Sequence, residues 1–168
     1  MVASSENDER PGHRDDRRFA ERVRDLRDDW SDMRDMAAML QHDDRPSQFR
    51  ALLKVYDWCV EAVGDIRRAY GSAAVAGISP PPEESGAEPG FEVSVNTAHR
   101  FGAWLTRVRG SQDRWHIHVA LMFPESQTWL PAARGHQVNY WTRRRIDDIL
   151  LSLLSAFERS RMPPRLAH

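Results

Sequence analysis

From Phe19 onward, apolar residues recur at spacings of 4, 3, 4, 3, 4 and 3, through Val23, Leu26, Trp30, Met33, Ala37 and Leu40. That spacing, with charged residues between, predicts a helix of about 25 residues laying a narrow heptad seam against a partner helix. Asp43, Asp44, Arg45 and Pro46 form a stop and a restart, with Pro46 or Ser47 suited to a first helical turn. A second, broader stripe follows at Phe49, Leu52, Leu53, Tyr56, Cys59, Val60, Val63, Ile66 and Tyr70, ending at Gly71. Residues 17–70 therefore read as an antiparallel helical hairpin, preceded by a polar, disordered tail over residues 1–16. A helix pair buries one side of each member. The remaining apolar surface must meet the rest of the chain or a second copy.

Residues 71–90 read GSAAVAGISPPPEESGAEPG, with 11 of 20 positions Gly, Pro or Ser, and predict a linker or long loop. Beyond it the period changes to two. Phe91, Val93 and Val95 alternate with polar residues, residues 101–108 carry Trp104, Leu105 and Thr106, and residues 115–123 are apolar apart from His116 and His118. These are three strands joined by hairpin-like loops, an antiparallel meander. A last helix from about Val138 to Ser160 carries the stripe Trp141, Ile146, Ile149, Leu150, Leu153, Leu154 and Phe157, which suits it to cover one face of the sheet. The expected fold class is α+β: an N-terminal antiparallel helical hairpin, a three-stranded meander and a C-terminal helix packed on the sheet. Residues 91–168 form the strand-and-helix half, and residues 17–168 are expected to pack as one mixed domain.

Charge sharpens this picture. Residues 1–45 hold 13 acidic and 9 basic side chains (−4), residues 46–90 hold 6 and 4 (−2), and residues 91–168 hold 6 and 11 (+5), within a net charge of −1. The whole molecule therefore has no general attraction to nucleic acid or anionic lipid. Its two halves, however, are electrostatic complements. All basic residues except Lys54 are arginines, a bias produced by a genome rich in G and C or by recognition of phosphate and carboxylate groups. One cysteine, Cys59, cannot form an internal disulfide, which fits a reducing compartment. The polar N-terminus has no apolar signal stretch, and no apolar run is long enough to span a bilayer, so the expected location is the cytoplasm without a membrane partner.

Two segments carry candidate chemistry. In Trp115-His116-Ile117-His118-Val119, residues two apart on a strand share a face, so His116 and His118 stand side by side as a candidate pair of ligands for a divalent metal. A site needs more ligands, and His99, His136, Glu92 and Glu125 are the available candidates. The plain structural alternative places both histidines on the solvent face of the sheet. The run WHIHVALMF resembles the histidine strand of the HUH nucleases, a family of replication initiators, relaxases and transposases. The resemblance implies that His116 and His118 hold the metal and that Tyr140 is the nucleophile attacking the DNA backbone. Arg143 stands where many initiators of that family carry a lysine. The second segment is basic: Arg143, Arg144 and Arg145 beside Tyr140 and Trp141, together with Arg107, Arg109 and Arg114, offer charge and stacking surface for nucleic acid. The acidic hairpin is a competing partner for the same arginines.

Glycine-rich phosphate loops and serine elbows are absent from the sequence. Adjacent carboxylates such as Asp147-Asp148 diverge on a helix. With no complete catalytic set, the expected function is a non-enzymatic interaction or regulatory module without a required cofactor. It self-associates through the hairpin, as a dimer, and presents the strand half to a protein partner. Nucleic-acid binding and a metal-dependent nuclease are the alternatives.

Overall fold

The computed structural model describes residues 12–39, 42–132 and 141–164. Helix α1 spans Gly12–Met39 and α2 spans Arg45–Tyr70. Asp44 caps α2, its side chain accepting from the Ser47 N–H at 2.9 Å, and Pro46 occupies the first turn, where its missing N–H costs nothing. Gly71 ends the helix at φ 55°, a conformation glycine adopts without Cβ strain. A short 3-10 turn, Gly71–Ala73, leads into β1 (Ala76–Ile78), β2 (Gly90–Val95), β3 (His99–Arg107), β4 (Trp115–Met122) and β5 (Leu130–Pro131). Helix α3, Arg143–Ser160, closes the order, with Thr142 accepting from the Arg145 N–H at 3.2 Å as its cap.

The fold class is α+β. The five strands form one antiparallel sheet in chain order, β1 to β5. The period-two pattern sets its faces. Phe91, Val93, Val95, Phe101, Ala103, Leu105, Ile117, Val119 and Leu121 all point to one side and are buried. That side is covered by Leu52, Val55, Cys59, Val63 and Ile66 of α2 and by Ile146, Leu150, Leu153 and Phe157 of α3. Tyr56 meets Phe91 edge to face at 5.0 Å, and Phe91 lies 6.2 Å from Phe101. Cys59 is fully buried, and this desolvation raises its thiol pKa, keeping it protonated and inert.

The structure corrects several finer expectations. The sheet has five strands where three were expected, because two short strands were hidden by composition. β1 lies inside the expected linker 71–90, and that segment is docked: Ala74, Ala76, Pro82 and Pro89 are buried. Tyr56 donates to the Ser79 carbonyl at 3.1 Å and Arg67 to the Ala76 carbonyl at 2.9 Å, so α2 holds the segment along its length. β5 is only two residues long, too short for an alternating pattern. Residues 12–16, expected in the tail, belong to α1, whereas residues 1–11 lie outside the described residues. α3 starts at Arg143, and Trp141, expected on its stripe, is buried just ahead of the cap.

The largest correction concerns the hairpin. Among the described residues, α1 meets the body toward its C-terminal end: Met36 is fully buried, Asp35 pairs with Lys54 at 3.3 Å, and Asp32 accepts from the Arg143 N–H at 3.3 Å. Farther toward the N-terminus, no helix among the described residues covers the heptad seam, whose Phe19, Val23, Leu26 and Trp30 are exposed. Among the described residues, no helix is long and apolar enough to cross a membrane.

Phe101 is fully buried at the centre of the sheet's covered face. Phe101→Ala is expected to lower the unfolding free energy in urea by about 3–5 kcal/mol. A loss below about 1 kcal/mol would place the core elsewhere.

Candidate functional site

Two surfaces stand out among the described residues: the outer face of the sheet and the open stripe of α1. On the outer face, β3 and β4 align Trp104 with His118 and Thr106 with His116. The Trp104 indole lies across the sheet, and two glycines make room for it. A Cβ built on Gly102 would sit 2.2 Å from the indole edge, and one on Gly90, opposite Trp104 on β2, would sit 2.1 Å from it. His118 stacks near-parallel to this indole at 6.2 Å and 24°. Trp129 stands edge-on to it at 4.6 Å. The Arg100 guanidinium lies 5.3 Å over Trp129 and pairs with Glu92. The result is an aromatic platform bounded by a charged pair.

Both histidines of the predicted pair share this face. His116 Nε2 is 3.2 Å from Thr106 Oγ1. Desolvation of its ring against the sheet, and secondarily repulsion from His118, holds its pKa below the usual imidazole value. The additional candidate ligands among the described residues, His99, Glu92 and Glu125, do not converge on the pair. His99 is buried on the opposite face, edge-on to Phe123 at 6.4 Å and to Phe157 at 5.7 Å. Glu92 is engaged with Arg100. Glu125 belongs to a shallow depression with Phe123, Ala156, Arg159 and Ser160. Among the described residues, no group of three His, Cys, Asp or Glu side chains is arranged to hold a metal ion. His136 and Tyr140 lie outside the described residues.

The six arginines divide into two groups. Arg107 and Arg114 flank the β3–β4 loop, and exposed Arg109 lies within it. Arg107 lies 5.2 Å over the Trp115 ring, which Arg45 also approaches at 5.3 Å, while Arg114 pairs with Asp43. Arg143, Arg144 and Arg145 form the first turn of α3, where Arg143 pairs with Glu61 at 2.6 Å. Asp43 and Glu61 are separated by nearly the first 17 residues of α2, roughly 25 Å at the helical rise, so the arginines do not make one continuous patch. Asp43 and Glu61 belong to the acidic helical half, while Arg143 also lies 3.9 Å from Asp147 of its own helix.

The second surface is the α1 stripe. Phe19 is 68% exposed, Val23 49%, Leu26 53% and Trp30 55%, all on one side of a helix. Four large side chains half open leave roughly 400 Å² of contiguous apolar surface. That is within the range of the largest apolar patch on a typical monomer, which is often functional. Sequence periodicity identified these residues but placed them inside the hairpin. The Trp104 platform was missed; glycines interrupting strand patterns at 90 and 102 were its signal. The chain matches no known protein family, no curated protein and no solved structure.

Two outcomes follow from the outer face. Gly102→Val should displace the Trp104 indole, shift the tryptophan fluorescence and cost about 1–3 kcal/mol. The cost should shrink in a Trp104→Ala background, and an equal cost in both backgrounds would refute the close packing. For His116, the depressed folded pKa means the unfolded chain binds the proton more tightly. Its contribution to stability is thus present above about pH 6.5 and is lost as pH falls through the lower folded value. Urea titrations at pH 7.5 and 5.0 should show a smaller acid-induced loss for His116→Gln than for the parent. An unchanged or larger loss would contradict the assignment.

Proposed function

We propose that this chain is a non-enzymatic protein-interaction or regulatory module that assembles as a homo-oligomer through its N-terminal helical region and offers the outer face of its sheet to a protein partner. The observation that carries this reading is the open stripe of Phe19, Val23, Leu26 and Trp30. A regular apolar seam standing in water costs free energy through hydration, and pairing with a like helix removes it. The Trp104–Trp129 platform with Arg100 at its edge has the composition of an interface centre, where Trp and Arg are enriched.

The two other readings draw on weaker arrangements. Nucleic-acid binding would use arginines that are split into two groups and engaged in part with Asp43, Glu61 and Trp115. Metal-dependent nuclease chemistry would need ligands beyond His116 and His118.

Sedimentation equilibrium over a range of micromolar concentrations tests the proposal. The parent chain is expected to associate reversibly, and Leu26→Glu, which places a charge at the centre of the stripe, is expected to leave a folded monomer. A parent chain that stays strictly monomeric across that range would sink it.

A further inference from the structure

The heptad assignment of α1 determines which charges would border a paired seam. With Val23 and Trp30 at a positions and Phe19 and Leu26 at d positions, Arg22 and Asp29 fall at g, and Ala20, Arg27 and Arg34 fall at e. In a parallel, in-register pair, g faces e of the next heptad on the partner. Arg22 would meet Arg27 and Asp29 would meet Arg34, so repulsion and attraction cancel. In an antiparallel pair, g faces g and e faces e. Aligning Phe19 with Trp30 and Val23 with Leu26 then sets Arg22 against Asp29 twice, once at each end of the seam. The e positions set Arg27 against Ala20, which leaves space and no like charge.

The seam fits the same arrangement. In this alignment aromatic Phe19–Trp30 layers stand at the ends of the seam and Val23–Leu26 layers in its middle. One oxygen of Asp29, Oδ1, is covered yet has no hydrogen-bond partner within the chain. The residue as a whole is only partly buried, so a guanidinium supplied by a second copy would meet this carboxylate from its open side and not at Oδ1. We propose, resting on the reading of α1 as the self-association surface, that two copies of this chain pair their α1 helices antiparallel, with Arg22 of each opposite Asp29 of the other. Two stripes of this size give an interface at or below the low end for specific complexes, so the pairing is a concentration-dependent equilibrium rather than a permanent dimer.

Charge exchange at these two positions separates the arrangements. In the antiparallel pair, Arg22→Asp opposes two carboxylates and Asp29→Arg opposes two guanidinium groups, so each variant alone should associate at least tenfold more weakly than the parent. Mixed in equal amounts, the two variants should form a heterodimer about as tight as the parent homodimer, because every Arg–Asp contact is restored. Sedimentation equilibrium of the parent, each variant and the mixture reads this directly, with circular dichroism confirming equal helix content. A parallel pair reverses one sign: Arg22→Asp would then face Arg27 and tighten the homodimer. Tightening by Arg22→Asp, or a mixture no stronger than its components, overturns the antiparallel arrangement while leaving self-association standing. A parent chain that never associates overturns both.

Discussion

An antiparallel sheet with one apolar face can be covered only once, and the organisation of this protein follows from that limit. Five strands about 4.8 Å apart span roughly 20 Å, which two helices packed 8–10 Å apart cover. α2 and α3 fill that area with Leu52, Val55, Val63, Ile146, Leu153 and Phe157, among others. A third amphipathic helix has no sheet left to bury against. α1 therefore docks through Met36 and a few polar contacts near its C-terminal end, and its regular seam stays in solvent. The surplus stripe is a geometric consequence of the fold, and its regular heptads give it a form that another helix can match.

The opposite charges of the two halves serve this docking. Asp43 reaches Arg114 and Glu61 reaches Arg143, while Trp115, whose ring both Arg45 and Arg107 approach, donates its backbone N–H to the Asp43 carbonyl at 2.8 Å. These contacts tie the start of α2 to the start of β4 and the middle of α2 to the start of α3. Exposed ion pairs contribute little individually. The same engagement uses some of the positive charge that a nucleic-acid surface would need.

Much of the architecture was legible because burial imposes periodicity. The stripes of α2 and α3, and the alternation in β2, β3 and β4, are each dictated by one covered face, so their apolar positions announce the elements. β1 and β5 were not legible, because three and two residues carry no period and β1 sits among glycine, serine and proline. His116 and His118 were correctly read as sharing a strand face, but the register that sets Trp104 beside His118 is a tertiary fact. Trp141 shows the converse limit: an apolar residue in phase with a helix stripe is buried before the helix begins. The apolar stripe of α1 was legible as a stripe, since Phe19, Val23, Leu26 and Trp30 lie on one side of the helix, but the hairpin packing expected for it was not found. Periodicity records that residues share a face and does not record what packs on it.

Hydrogen–deuterium exchange followed as a function of protein concentration addresses the unpartnered stripe most directly. If α1 pairs with a second copy, amides between residues 18 and 32 gain protection as concentration rises, while those of β2, β3 and β4 stay unchanged. Protection of α1 that is independent of concentration, or concentration-dependent protection confined to the sheet, would contradict the assignment of this helix as the surface of self-association.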